Sequence, residues 1–473
     1  MLPSVSDWRA ALLKRFSFPA YDRIGRNPTG WPGYEPAEVV RFAIGAIGGV
    51  NVVAVVWDFE RYGGSFGELD ATAFAEAADR AARYREPLVS FVRSGGVRLQ
   101  EGMAALVGMP RAQLALRRLR AAGVPHVAVA DQPTTGGVFV SVVTRADVRA
   151  AVRGATIGFA GPRVAEVVLG RALPEGTHTA ESAYDAGLVD ALLDPEEVGD
   201  WLGRALAALA PRDPAAAPEP PPVAAGVPPE HGEEDGEAQV LRARRGDRPS
   251  GRTTLDLLVP GGVDLRAEGG DPTVRAVVGD LAGTPVVAVA VAADRSTRPT
   301  PAGYRLVRRG ARLAGTLDRV LVTLVDTPGA EPGAEAEAAG VAAAIADTMD
   351  ALLACPAPTL AVVTGEGGSG GALAASVADR VLVTPGCYFA ALGPEAAAAA
   401  LRTAPGATAR RLRLRPADLL ALGFADAVAP EPHDDGFAVA VAASAAALAA
   451  EDRGTRETAR ARRWSGPLPG SVS

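Results

Sequence analysis

The chain has 473 residues, 48% of them hydrophobic and 22% charged, which is the composition of a globular protein too long for one ordinary domain. Its 55 acidic residues outnumber 48 basic ones for a net charge of -7, so no basic excess is available for nucleic acid. The two cysteines, Cys355 and Cys387, are far apart and form no C-x-x-C, which leaves neither a zinc ribbon nor a disulfide framework and suits small buried side chains.

Residues 1–18 carry Asp7, Arg9, Lys14 and Arg15 but no apolar core or cleavage site, and so do not form a secretion signal. The apolar stretch 42–57 is broken by Asn51 and glycines and falls short of a membrane span, so a cytoplasmic protein is expected. Short β-branched runs at 52–59, 87–93 and 126–131 then alternate with Ala-rich amphipathic segments at 71–85 and 111–121. Residues 211–250 are rich in Pro, Ala and charge and read as a linker. Beyond it the strand pattern returns at 286–293, 319–326 and 359–364, and 451–473 read as a polar tail. The alternation predicts an α/β layered domain occurring twice.

The halves match in detail. "VPHVAVADQPTTGG" answers "APTLAVVTGEGGSGG", and Gly370 follows Gly136 by 234 positions, Gly393 follows Gly161 by 232 and Gly423 follows Gly187 by 236. A shift so nearly constant indicates a duplicated domain. Gly187 and Gly423 fit helix C-caps before a last short strand.

"VVTGEGGSGGALA" at 362–374 spaces Gly365, Gly367 and Gly370 as G-x-G-x-x-G. It lacks the acidic residue that a dinucleotide fingerprint needs about 20 positions later, and the lysine of a phosphate loop. Two readings stay open: a tight strand-to-helix turn, or an oxyanion site. Backbone N–H groups at a helix N-terminus are unpaired and lie at the positive end of the dipole, and glycine keeps the approach clear. Gly136-Gly137 and Gly370-Gly371 are such pairs, with Gly95-Gly96 at the end of an earlier strand. Two oxyanion sites suit a reaction with two developing negative oxygens. His126, His178, His231 and His433 stand in no metal or triad spacing, no G-x-S-x-G occurs, and Ser94 and Ser369 have no identifiable base. Lys14 is the only lysine, which excludes a Schiff-base lysine, a P-loop lysine and a biotinyl-lysine between methionines.

"DFERYGGSFGELD", "SGGVRLQEGM", "DQPTTGGV" and "GATIGFAGPRV" resemble the β subunit of bacterial acetyl-CoA carboxylase carboxyltransferase; "PAGYR", "LVTLVDTPGAEPGAEAEAAG", "VVTGEGGSGGALA" and "LGPEAAAA" resemble its α subunit. The resemblance implies two tandem crotonase-like (ClpP/crotonase) β-β-α superhelix domains of the α/β class. Their spans are 36–210 and 251–450, after an extension at 1–35 that lacks the cysteines of the family's zinc ribbon. It implies transfer of a carboxyl group from carboxybiotin, borne by a separate biotin carboxyl carrier protein that a biotin carboxylase charges, to acetyl-CoA or another short acyl-CoA. The oxyanion holes would use Gly136, Gly137, Gly370 and Gly371, with Gly64, Ser65, Gly95, Gly96, Gly367 and Gly368 binding substrate. A homo-oligomer is expected, with no metal, nucleic acid or membrane. A catalytically silent CoA- or partner-binding scaffold and a biotin-dependent decarboxylase are the alternatives. Glu331 and Ala338-Ala339 depart from the family's usual aromatic and Glu-Arg.

Overall fold

In the computed structural model the described residues are 8–14, 16–19, 23–210, 236–294, 297–393, 395, 397–398, 402 and 412–465. The chain divides into two compact units, Met1–Pro211 and Arg212–Ser473.

The first unit runs α1 (Trp8–Leu13), β1 (Val40–Ile47), β2 (Val50–Trp57), α2 (Glu68–Tyr84), β3 (Leu88–Ser94), α3 (Met103–Leu106), α4 (Gly108–Ala121), β4 (His126–Thr135), α5 (Gly136–Ser141), β5 (Val148–Val152), β6 (Ile157–Gly158), α6 (Pro162–Leu169), α7 (Ala180–Asp185), β7 (Ala191–Leu193) and α8 (Val198–Leu209). Strands β1 and β2 form an antiparallel hairpin closed by Gly48 and Gly49, both at positive φ, a conformation that glycine adopts without strain. The sheet continues in parallel as β1-β2-β3-β4-β5-β7, with β6 alongside β4. Parallel neighbours need helical crossovers, and α2 and α4 supply them. Their alanine faces, with Phe74 of α2, share one core with Trp57, Phe66 and Leu88.

The second unit repeats this plan with α9 (Gly236–Ala243), α10 (Gly251–Leu258), β8 (Val263–Leu265), β9 (Val274–Leu281), β10 (Thr284–Val291), α11 (Pro301–Leu317), β11 (Val320–Thr327), α12 (Ala334–Ala338), α13 (Val341–Leu353), β12 (Thr359–Gly368), α14 (Ser369–Ala374), β13 (Arg380–Val383), β14 (Tyr388–Ala390), α15 (Pro416–Leu422), β15 (Ala427–Val428), α16 (Gly436–Ala450) and α17 (Arg453–Ser465). Its order is β15-β13-β12-β11-β10-β9-β8, with β14 alongside β12. Even single carboxylates recur. Asp147 accepts from the His126 N–H at 3.0 Å and Asp379 from the Thr359 N–H at 2.8 Å; Asp190 accepts from the Arg149 N–H at 2.9 Å and Asp426 from the Val381 N–H at 2.7 Å. Gly187 and Gly423 follow α7 and α15 at positive φ, and both cysteines are free and buried. No helix among the described residues is long and apolar enough to cross a membrane.

Within the stretches that read as linker and tail, residues 236–243 and 453–465 are helical. Residues 211–235 lie outside the described residues, but 236–250 do not behave as a linker: Val240 and Ala243 of α9 bury beside Tyr388, Ala390 and Leu414, and Gln239 Nε2 donates to the Pro385 and Cys387 carbonyls at 2.8 and 2.7 Å. Residues 453–465, inside the polar tail, form α17. Its Arg460 is buried, donating to both oxygens of Asp379 at 2.7 and 2.6 Å and to the Leu352 and Ala357 carbonyls at 3.0 Å each. Composition missed these segments because several of their anchors are guanidinium and amide groups satisfied by backbone carbonyls and, for Arg460, by the Asp379 carboxylate, which carry no hydrophobic period.

Candidate active site

In the first unit, Gly95 and Gly96 follow the end of β3 directly, beside the junction of β4 and α5. Ser94 Oγ donates to Gly64 O at 2.7 Å and accepts from the Gly96 N–H at 3.1 Å; Gly95 N–H donates to Gly63 O at 2.9 Å. Phe66 N–H donates to Gly96 O at 2.8 Å and Arg98 N–H to Phe66 O at 3.0 Å. The Val97 N–H between them has no partner among the described residues. Gly96 (φ 113°) and Gly136 (φ 68°) touch, since a Cβ on Gly136 would lie 2.7 Å from the Gly96 Cα. The structure therefore brings Gly64, Ser65, Gly95, Gly96, Gly136 and Gly137 around one turn. The first-turn N–H of Gly137 and the N–H of Val97 are its open donors.

The second unit builds the same turn from different residues. Thr327 Oγ1 donates to Thr297 O at 2.9 Å and accepts from the Gly329 N–H at 3.2 Å, while Glu331 N–H donates to Pro299 O at 3.0 Å. The Ala330 N–H between them is again without a partner among the described residues. Pairing fixes the correspondence: Ser94 faces Thr134 across β3 and β4, and Thr327 faces Gly367 across β11 and β12. Each residue of this turn thus sits 233 positions after its counterpart, and the helices open at Gly136 (φ 68°) and Ser369 (φ 58°). Gly137 corresponds to Gly370, one position earlier than matching the two glycine pairs suggests. A side chain on Gly371 would lie 2.5 Å from both Ala330 N and Tyr304 Oη; one on Gly370 would meet nothing within 4 Å. Close packing accounts for Gly371 as glycine but not for Gly370. Gly367 and Gly368 are packed against Phe389 and Pro328.

Charged groups that sequence reasoning missed hold each turn. Arg98, wholly buried, donates to Asp70 at 2.7 Å, to Ala37 O at 2.8 Å and to Ser65 O. Asp70 also accepts from the Gly67, Val39 and Val40 N–H groups at 2.7, 2.6 and 2.9 Å. Burial pushes the Asp70 carboxyl up, opposed by Arg98 and those N–H donors. Burial, with the hydrogen bond to Glu101, pushes the Tyr34 hydroxyl up to about 12. Below the second turn Arg248 bridges Asp326 at 3.0 Å and Thr364 O at 2.7 Å; Arg244 Nε and the Tyr388 hydroxyl each donate to Glu366 at 2.8 Å. Both arginines come from the segment that reads as linker. "SGGVRLQEGM" did contain Arg98 and Glu101, but nothing in its spacing showed that they turn inward. Among the described residues no three His, Cys, Asp or Glu side chains gather as a metal site. Glu331 caps the Gly333 N–H at 3.0 Å.

The two units match two related families in sequence. Residues 10–250 match the family described as carboxyl transferase domain, and 236–453 the one described as acetyl co-enzyme A carboxylase carboxyltransferase-like. The acetyl-coenzyme A carboxylase carboxyl transferase subunits beta/alpha of Salinispora tropica is 41% identical over 438 residues, covering 87% of this chain and 77% of that one. The chain belongs to the acetyl-CoA carboxylase carboxyltransferase family. A probable biotin-dependent acyl-coenzyme A carboxylase beta3 subunit of Mycobacterium bovis is 35% identical over 411 residues, covering 84% of this chain and 81% of that one. The solved transcarboxylase 12S, with hydrolysed methylmalonyl-coenzyme A bound, superposes with a TM-score of 0.77 at 23% identity, over 95% of this chain and 90% of that one. Both units thus have the crotonase-like fold of the carboxyltransferases, and both turns lie within the matched residues.

Proposed function

We propose that this carboxyltransferase moves a carboxyl group from carboxybiotin on a separate carrier protein to acetyl-CoA, giving malonyl-CoA. The observation that carries the reading is the repeated pair of open donors, Val97 and Gly137 in one unit and Ala330 and Gly370 in the other. The thioester oxygen of the acyl-CoA takes the first pair, the ureido oxygen of biotin the second, as the family resemblance assigns them. Gly64, Ser65, Gly95 and Gly96 line the acyl side; Gly367, Gly368 and Gly371 shape the other. When the N–carboxyl bond breaks, its electron pair stays on the ureido group and CO2 is released. That group takes the acyl α-proton, and the thioester enolate attacks CO2. Each donor stabilises charge that develops only as the bond breaks, for about 3 kcal/mol apiece. No side-chain base is required, in keeping with His126, His178 and His433, which lie outside the turns.

The partners on this reading are a biotin carboxylase and its biotinylated carrier, in the cytoplasm, and the active form is a homo-oligomer. Purified protein, mixed with carboxylase, biotinylated carrier, ATP and bicarbonate, is expected to form malonyl-CoA, with acetyl-, propionyl- and butyryl-CoA compared in parallel. Absence of carboxylated product from all three overturns the reading.

A further inference from the structure

The two turns differ in their side chains, and the difference is chemical. Where the first unit opens its helix with Gly136, the second has Ser369 in the same left-handed backbone, φ 58° against 68°. An L-residue with a Cβ is strained in that conformation. The Ser369 hydroxyl obtains no hydrogen bond from the described residues in return, and the residue is only half-buried. Glycine is available to that backbone, as Gly136 demonstrates, so the conformation itself does not call for a side chain at 369.

A second hydroxyl points the same way. Tyr304, on α11, corresponds to Ala71 on α2 by the same 233-residue shift. Tyr304 is fully buried, yet its hydroxyl has no partner among the described residues and stands 2.5 Å from where a Gly371 side chain would begin. A buried hydroxyl left unpaired is destabilising, because it gives up its hydrogen bonds to water and gains none in return. In the first unit the corresponding place is apolar, with Ala71 and Val138 both buried. The second turn is also roomier. A side chain on Gly137 would meet Met109 Sδ at 2.6 Å and Val97 Cγ2 at 2.7 Å, and their counterparts, Ala342 and Ala330, are smaller.

We infer that Ser369 is a specificity-determining residue of the second turn, its hydroxyl hydrogen-bonding the ureido nitrogen of biotin while the Ala330 and Gly370 N–H groups hold the ureido oxygen. A thioester carbonyl offers only an acceptor oxygen, and backbone N–H groups with Gly136 between them satisfy it. A ureido group presents nitrogen beside its oxygen, so it needs a partner that can both donate and accept, which a hydroxyl does. The inference rests on the second turn being the biotin side.

The test compares Ser369→Gly, Ser369→Ala and Gly370→Val, with free biotin as probe. Ser369→Gly relieves the left-handed strain and is expected to melt above the parent, yet to lose about tenfold in kcat/KM for carboxylated carrier and to weaken the saturation-transfer NMR signal of free biotin, with KM for acetyl-CoA unchanged. Ser369→Ala loses the same activity without the gain in melting temperature. Both serine variants at parent activity and parent biotin signal, with Gly370→Val impaired, overturn this inference alone. Gly370→Val folded and fully active removes the underlying assignment as well.

Discussion

A valine at position 370 enters open space, whereas one at 371 meets the Ala330 backbone and the Tyr304 hydroxyl at 2.5 Å. Gly370→Val is therefore expected to melt near the parent while losing carboxyl transfer on the order of 100-fold, because its bulk covers the N–H that on the proposed mechanism acts in the transition state. Gly371→Val is expected to lower the melting temperature instead. Tyr304→Ala added to it restores part of the loss, since the pair then copies Ala71 and Val138. Thermal melts beside transfer assays decide this, and a Gly371→Val protein as stable as the parent contradicts the packing account. His126 supplies a pH dependence. It is wholly buried, with Nε2 2.8 Å from Ser90 Oγ, and desolvation, then the Arg120 charge, lowers its pKa to about 3 from 6.5. The unfolded chain binds a proton there below pH 6.5 and the folded chain does not. The stability that neutral His126 contributes is thus complete above pH 6.5 and is lost as pH falls toward 3, by at most about 1.4 kcal/mol per pH unit. Urea melts from pH 7 to 4.5 are expected to show a shallower loss for His126→Gln than for the parent.

Among the elements, the helices that composition did not foresee are anchored by charge. Asp379 starts as a strand cap for the Thr359 N–H and is also the partner of Arg460 at 2.6 Å and Arg456 at 3.6 Å, so α17 is tied to the N-terminal end of β12. Removing one member of a buried pair leaves the other charge uncompensated, at a cost of about 3–5 kcal/mol. Arg460→Met is expected to destabilise the second unit by that order in denaturant titrations. Arg453→Met, whose partner Glu457 is exposed, is expected to change stability by less than about 1 kcal/mol. Equal effects from the two variants argue against Arg460 as an anchor. The strands and crossover helices were legible because alternation and amphipathic period report burial directly. The partners β1 and β9, at the hairpins, went unread as strands. The segment at 236–250 and α17 were opaque because an arginine looks solvated in sequence until its carboxylate and carbonyl partners, more than 100 residues away, are known.

At the scale of the whole molecule, duplication was the most legible property, and its residual asymmetry was the least. Three glycine landmarks gave shifts of 232 to 236 residues, which disclosed two copies, but loops of unequal length blurred the register around each turn. Strand pairing sharpens it to 233 at the turns and moves the counterpart of Gly137 from Gly371 to Gly370. The same register underlies the proposed division of labour, in which two turns with repeated donors and unlike side chains take two different ligands. On the proposed function biotin arrives on a separate carrier and is not attached to this chain. Lys14, its only lysine, is exposed just past α1 and has no methionine on either side, so a biotin ligase finds no amine in the setting it modifies. After co-expression with a biotin ligase and excess biotin, avidin blotting is expected to leave the chain unlabelled while a biotinylated carrier in the same lysate is strongly labelled. Transfer activity is expected to vanish when that carrier is omitted and to return in proportion as it is added back. A labelled band from this chain, or transfer without carrier, contradicts the reading of biotin as a visiting substrate.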